Sequence, residues 1–587
     1  MTEPVPKSPE REGTTADVAD GSRPSDSGIH AAPGPLASMF LTQLALYTDG
    51  IGWVQVLECW RRHGLLARLA RAGSGGLTLG ELAEASGANP GYLAVICRVL
   101  DAQGWLQRDL EHATSRTRVA PTPAGAMLFS LIEFGPQATE VTAFCPIARH
   151  MTAYLDERYE PPPGCPSLDE LARWSERGWD LPPDAGGELG VVARFRAALE
   201  GNLIGPIAVA LGLGSGRVGN WASEPERRAY IGTGERRYEP RGDRERAAFE
   251  LLAQAGWVRW QGTCAVLTAL GAYALRRAPA FGVPVSYLPL FERLDDLLFG
   301  DAERFWRRTP GEPEAHVDRA MNVRASGASH QRYFAAADTI IGRAFDLPFE
   351  EQPIGVCDMG SGDGAWLEHV WNLIVQRTER GRLMHAHPQD PRYRPLLIGA
   401  DYNDAARTAT RERLTRAGIP HLVSFGDIND PQSLKSELER HGIDSTRLLH
   451  SNSFLVHNRP YVGVKDMRAA AARRADPGAV FASRGRALSS GELGQNLVEF
   501  FAAWRPVIGR HGMVVIELHD PERVRVGRTL TNYMLTHGLS DQYTVGIGAF
   551  LKAAHEAELE VDSDSLRLFP DSPEAAAISV CHVRNER

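Results

Sequence analysis

The chain has 587 residues, 43 % hydrophobic and 23 % charged, with 64 basic against 73 acidic side chains and a formal net charge of −9. This length predicts two to three domains, and the composition is that of an ordinary soluble protein. The acidic balance argues against a general nucleic-acid binder, and no apolar run of about 18 residues predicts a transmembrane helix.

Residues 1–35, Pro- and Gly-rich with no apolar core, are expected to be a disordered tail. Seven scattered cysteines (Cys59, Cys97, Cys145, Cys165, Cys264, Cys357 and Cys581) lack CxxC spacing and read as reduced thiols, so a cytoplasmic location is expected. Residues 36–345 are expected to form a mainly helical lid. Within it, "LLARLARAGSGGLTLGELAEASGANPGYLAVICRVLDAQGWLQRD" has apolar positions three and four apart, broken by tight turns, and leads to "PTPAG". That is the layout of a winged helix. Leu100, Gly104, Trp105, Thr122 and Gly125 have counterparts in Leu252, Gly256, Trp257, Thr268 and Gly271, which predicts two winged-helix-like units, 50–130 and 240–280, around a helical, Pro-rich spacer. The would-be recognition helix carries only Arg98 against Asp101, too little positive charge for phosphate contacts, so scaffolding or dimerisation is expected there instead of DNA binding.

Residues 346–587 change texture. Strand candidates "IGVCDMG", "PLLIGADY", "LVSFGDI", "STRLLHSNSF", "GMVVIELH" and "AISVCHV" alternate with helices near 363–377, 404–417, 431–440, 492–510 and 546–558. A βαβα alternation predicts a doubly wound, Rossmann-like α/β sheet. The first strand ends in Asp358 and breaks into Gly360, Gly362 and Gly364, a bare-backbone cradle at a strand's carboxyl end. Asp358 and Asp363 beside it would repel the pyrophosphate of a dinucleotide, whereas a sulfonium ligand with an amino-acid tail tolerates them. Asp401 ends the second strand and suits two ribose hydroxyls; Asp427 ends the third and suits an adenine amino group.

Three acidic strand ends in succession resemble the first motifs of class I S-adenosylmethionine-dependent methyltransferases. The blocks "EAHVDRAMNVRASGASHQRYF", "LLHSNSFLVHNRPYV", "VVIELHD" and "THGLSDQY" further resemble the AprA-type C-methyltransferases of polyketide synthases. One departure stands out: an acidic residue is expected before the histidine of the "FL-x-HNR" block, and this chain has Val456. The resemblance implies metal-assisted methylation of an activated methylene (a malonyl or β-ketoacyl unit, or a 2-oxo acid) in specialised metabolism, on a free or acyl-carrier-protein-bound substrate. It implies no nucleic-acid or membrane partner. Removing a weakly acidic C–H proton calls for a Lewis acid on neighbouring oxygens, and imidazole with amide oxygen suits iron or manganese. His457, His519 and Gln542 are the candidate ligands, with Asp520 an alternate. His519 and His537 are the candidate catalytic groups, and His537 is equally a ligand candidate. Arg319 and Arg324 are candidates for a substrate carboxylate. His450 and His555 read as structural. Rival readings are a small-molecule O- or N-methyltransferase, whose plant-type members dimerise through a winged-helix region, and a methyltransferase-like regulator without activity.

Overall fold

The computed structural model describes residues 35–110, 114–183, 190–214, 237–307, 314–474, 476, 478–520, 531–571 and 576–585; the expected N-terminal tail lies outside them. The C-terminal sheet is built on β1 (Gly355–Met359), β2 (Leu396–Asp401), β3 (His421–Phe425), β4 (Leu449–Ser453), β5 (Met513–Leu518), β6 (Leu559–Val561), β7 (Arg567–Phe569) and β8 (Ile578–Asn585). Across the sheet the order is β6-β8-β5-β4-β1-β2-β3, with β7 also paired to β8. Strands β1 to β5 run parallel, while β8 lies antiparallel to β5, β6 and β7. Chain order reverses between β1 and β4, and a doubly wound sheet opens its ligand crevice at such a switch point.

Alternation along each strand serves two apolar layers, because both faces of a parallel sheet are covered. Cys357, Met359, Ile398 and Val515 face Phe501, Trp504 and Phe550 on helices Ser490–Ile508 and Ile547–Glu556. Val356, Leu397, Leu449, Val514 and Ile516 face Trp366, Leu367 and Val370 of helix Ala365–Arg377. Ile340, Ile341 and Phe345 of helix Gln331–Phe345 join that second layer, so the core recruits a helix expected to belong to the lid. The six expected strands and five expected helices are present. Helices Glu379–Ala386 and Asn532–Leu539 and the hairpin Phe481–Ser483/Arg486–Leu488 were not expected.

In the lid, helix Pro35–Arg62 lies along helix Val191–Leu213. Their backbones approach so closely that a Cβ on Gly201 would sit 2.2 Å from the Tyr47 carbonyl oxygen, and one on Gly50 would sit 2.4 Å from Ala198 Cα. Two winged-helix-like units flank this pair. The first sets a three-stranded sheet (Leu77–Thr78, Leu106–Arg108, Arg118–Pro121) on helices Leu79–Ser86, Pro90–Ala102 and Pro123–Phe134. The second sets Arg237–Tyr238, Val258–Gln261 and Cys264–Leu267 on helices Asp243–Gln254 and Ala269–Arg276.

The sequence echo between them is a shared joint. Thr122 caps its helix by accepting from Gly125 N (2.9 Å) and donates its hydroxyl to Gly104 O (2.7 Å). Thr268 accepts from Gly271 N (3.0 Å) and donates to Gly256 O (2.7 Å). Gly104 and Gly256 both turn at φ +77°. Gly125 and Gly271 pack so tightly that an added Cβ would fall 1.8 Å from the carbonyl oxygens of Trp105 and Trp257. Each glycine therefore holds a tryptophan, fully buried in the lid core, against its helix.

The recognition helix of the first unit is consumed internally. Residues Gly91 to Cys97 are buried, and the helix packs against the 481–488 hairpin and helix Asn532–Leu539.

We expect Gly271→Ala to destabilise the protein by about 1–3 kcal/mol through overpacking. Thermal unfolding would show it as a lower Tm, with Gly125→Ala behaving alike.

Candidate functional site

The glycine loop turns from β1 into helix Ala365–Arg377 with Gly360, Gly362 and Gly364 all in the left-handed region (φ +83°, +56° and +78°). Space around them differs. A Cβ on Gly360 would lie 2.5 Å from Leu455 Cδ2, whereas one on Gly362 would meet nothing nearer than the Gly360 carbonyl at 4.0 Å. Gly362 thus leaves open room where a ligand can approach the backbone. Asp401 fastens the loop: its Oδ2 accepts from Gly362 N (3.1 Å) and its Oδ1 from Asn403 N (2.8 Å).

Asp358 lies beneath the loop, accepting from Ser451 Oγ (2.8 Å), which in turn accepts from Trp366 Nε1 (2.9 Å). Burial pushes the Asp358 carboxyl up to about 8, so it keeps a proton near neutral pH. Asp363 turns outward to Arg413 (2.5 Å) and caps Ala365 N (3.1 Å). The expected pair of repelling carboxylates is therefore corrected: one is neutral and the other is paired. Asp427, half-buried at the end of β3, accepts from Asn429 N (2.9 Å). Beside these acids, Tyr402 and Phe425 present exposed rings 5.5 Å apart. The sequence reading passed over them, although an aromatic residue directly after a strand-end acid was a visible signal.

The second half of the crevice gathers around β4 and β5. Glu517, only 2 % exposed, has its carboxylate bound by His457 Nδ1, by Val456 N (2.8 Å) and by Leu518 N (2.7 Å). Burial opposes ionisation there, but His457 and these hydrogen bonds hold the carboxyl below its usual range. A carboxylate can only accept, so His457 Nδ1 carries a proton and donates, and Nε2 is the ring nitrogen left for other partners. The ring of His537 stands 5.5 Å from that of His457, edge to face. His537 Nδ1 donates to the Tyr533 carbonyl (2.6 Å), which likewise leaves a lone pair on Nε2. Burial first, then His457, pushes His537 down to about 3, keeping it neutral. Gln542 donates its amide to Tyr287 OH (2.7 Å) and Ser540 Oγ (2.8 Å), which orients its carbonyl oxygen as the remaining acceptor. Imidazole nitrogen and amide oxygen are donor types that suit iron or manganese.

The other candidates land elsewhere. His519 is fully buried with both ring nitrogens engaged, Nε2 with Ser579 Oγ (2.7 Å) and Nδ1 with the Val545 carbonyl (3.2 Å). Its backbone N–H bonds Ala577 O (2.7 Å), and its ring is held on Ser579 of β8. His519 therefore drops out of both the ligand and the catalytic set, and His537 takes its place. Asp520 pairs with Arg98 of the lid.

Arg319 spends its planar fork on Glu314 (2.6 and 2.8 Å) and so does not offer it to a substrate carboxylate, and Arg324 is exposed on its helix. The "HVDR-x-x-NV" block works as a joint: Asp318 N donates to Ser286 O (2.8 Å) and Asn322 Nδ2 to Ser286 Oγ (3.0 Å). His450 is buried with Nε2 on the Ser445 carbonyl (2.9 Å), the structural role expected of it, and His555 is exposed. Tyr287 stacks loosely towards both His316 and His537 (6.3 and 6.4 Å), and His330 stacks on Phe454 at 4.0 Å, so the lid roofs this side of the crevice.

Among the described residues, the cysteine, histidine and carboxylate donors close enough to share an ion lie in the lid, at Cys59, His63 and Asp295. Asp295 there already takes Arg62 (2.8 Å) and His63 (2.7 Å).

Three family models match the chain in succession: the AprA N-terminal domain over residues 40–108, the AprA winged helix domain over 200–301, and the AprA MT2-like domain over 314–581. No curated protein matches. Solved structures superpose loosely. The mitomycin 7-O-methyltransferase MmcR gives 16 % identity over 65 % of this chain and 94 % of its own, with a TM-score of 0.37. The CurJ carbon methyltransferase gives 13 % over 76 % and 99 %, at 0.30. Human N-acetylserotonin methyltransferase in complex with SAM gives 12 % over 95 % and 100 %, at 0.27.

Burial pushes His519 down to about 4, so below its usual pKa of about 6.5 the unfolded chain takes up a proton that the folded ring refuses. Its contribution to stability is therefore lost as pH falls from about 6.5 towards 4. In His519→Gln we expect the drop in stability between pH 7 and pH 5 to be smaller than in the parent, by about 1–2 kcal/mol, and methyl transfer to persist. Urea unfolding at the two pH values measures the first outcome.

Proposed function

The chain is an AprA-type methyltransferase that uses S-adenosylmethionine, and from that premise we propose that it methylates an activated carbon, the methylene of a malonyl or β-ketoacyl unit or of a 2-oxo acid. The observation that carries this reading is the His457–Glu517 pair. Buried Glu517 holds the imidazole in the tautomer whose Nε2 can take a proton, and it stabilises the imidazolium once the proton has arrived. A base of this kind removes the C–H proton next to a carbonyl. The resulting carbanion displaces the sulfonium: a carbon–carbon bond forms, the methyl–sulfur bond breaks, and the electron pair stays on sulfur.

The cradle at Gly362 and the carboxylate of Asp401 suit the amino-acid tail and ribose of the cofactor, while Tyr402 and Phe425 offer apolar surface for its base. With His457 Nε2 taking the proton, His537 and Gln542 are the residues that would hold a divalent iron or manganese, whose chemistry would be Lewis-acid stabilisation of the enolate. Neutral His537 and the oriented Gln542 serve that role as ligands or, through Gln542 and Tyr287, as hydrogen-bonding groups around the acceptor. Closure by Tyr287 and His330 keeps water from the sulfonium and the carbanion. A carrier-bound thioester and a free acid both present the 1,3-dicarbonyl pattern this site would act on.

Incubation with labelled S-adenosylmethionine and malonyl, acetoacetyl and 2-oxo acceptors, beside hydroxyl and amine controls, tests the proposal. C-methyl product located by mass spectrometry supports it; label confined to oxygen or nitrogen overturns it. His457→Ala is expected to lower kcat about 10²–10⁴-fold, and Glu517→Gln by less, with the dissociation constant for S-adenosylmethionine unchanged in isothermal titration. Chelator treatment is expected to abolish turnover but not cofactor binding, with Fe(II) or Mn(II) restoring it; full activity after chelation would remove the metal from the proposal.

A further inference from the structure

The first winged-helix unit touches the catalytic half at an informative place. Its helix Pro90–Ala102 reaches the turn 537–543 that carries His537 and Gln542. Contact is intimate: Gly91 N donates to Gly485 O (2.8 Å), and a Cβ on Gly91 would lie 2.6 Å from the Arg486 carbonyl carbon. A Cβ on Gly538 would lie 2.5 Å from Val95 Cγ1. At the tip, Tyr92 OH donates to Asp541 Oδ1 (2.8 Å) and accepts from Trp306 Nε1 (2.6 Å). The other carboxylate oxygen of Asp541 accepts from Arg484 N (2.8 Å).

Asp541 sits at φ +54°, a conformation that side-chain-bearing residues rarely adopt. Such a backbone persists when its surroundings over-determine it. Here the surroundings are a hydroxyl from the lid and an amide from the hairpin. The next residue is Gln542, whose backbone N donates to His537 O (2.9 Å), and Tyr543 N donates to His457 O (2.7 Å). The turn thus links the three groups of the acceptor side, and its strained residue is bonded by the Tyr92 side chain of the winged unit.

We propose that Tyr92 is a positioning residue: through Asp541 it holds the 537–543 turn so that His537 and Gln542 stand at the right place opposite His457. The recognition helix is then a brace for the active site, and its buried, nearly uncharged surface is what bracing requires. This rests on the placement of His457, His537 and Gln542 at the acceptor. Tyr92 touches no substrate; it acts through Asp541.

The test compares full-length parent, Tyr92→Phe, Asp541→Ala and the double variant by hydrogen–deuterium exchange, cofactor titration and turnover of an acetoacetyl carrier thioester. Tyr92→Phe keeps the packed ring and removes only the hydroxyl. Expected are faster exchange in peptides spanning 531–545, unchanged exchange over 355–365, and a dissociation constant for S-adenosylmethionine within about twofold of the parent. Turnover should fall about ten- to a hundredfold in kcat with KM little changed, and the double variant should lose no more than the worse single one. A purely structural hydroxyl would instead lower Tm and leave kcat per folded molecule untouched. Unchanged exchange over 531–545 overturns the brace whatever acceptor the enzyme uses. Loosened exchange with unchanged turnover overturns the proposal through the acceptor-site reading on which it rests.

Discussion

A carboxylate buried at the end of a central strand governs the layout of this enzyme. Removing Glu517 from water costs several kcal/mol unless donors replace the solvent, and the chain supplies three: His457 Nδ1, Val456 N and Leu518 N. Two of these come from the loop after β4, so satisfying the charge pins that loop to β5 and sets the tautomer of His457 in the same act. Electrostatic need and catalytic geometry are met by one arrangement. The neighbouring His537, neutral because it is buried beside His457, can approach the pair without introducing a second charge.

The lid depends on that arrangement being reached from outside the sheet. Tyr287 from one lid helix binds Gln542, Tyr92 from another binds Asp541, and Arg98 pairs with Asp520. These contacts require close helix packing, which small residues permit: Gly50 and Gly201 at the central helix pair, Gly91 and Gly538 where the winged unit meets the core. The two winged units share a threonine–glycine–tryptophan joint, yet they are used differently. The first has its recognition helix turned inward onto the catalytic turn, and the second packs with the central lid helices.

Much of this was legible beforehand where local chemistry speaks for itself. Apolar runs of five or six residues separated by helical stretches read as buried strands, and β1 to β5 and β8 all fall where that pattern put them, although β8 runs antiparallel. Gly360 to Gly364 announced a tight strand-to-helix turn, and Asp401 announced its fastener. The repeat of Gly104 and Thr122 in Gly256 and Thr268 marked equivalent joints before either was seen. Less legible were groups whose role depends on partners remote in sequence. Glu517 was overlooked inside "VVIEL" because a lone acid in an apolar strand has no local signature. The family pattern pointed to an acid directly before His457, where Val456 stands; the acid comes instead from 60 residues further along the chain. His519 stood ahead of His537 as a ligand until Ser579 and the Val545 carbonyl took up both of its ring nitrogens. Arg319 looked free until Glu314 closed on it.

The sequence by itself thus determined the α/β core, the glycine cradle with its acidic strand ends, the paired winged units and the absence of a positively charged recognition surface. These follow from periodicity, backbone freedom and charge, which act over a few residues. Only the tertiary structure decided which histidines meet, which acid pairs with one of them, and that a helix of DNA-binding shape packs against the 537–543 turn. Those outcomes come from burial, because a buried polar group must find its partner in space, and the chain offers no local sign of which partner folding will bring.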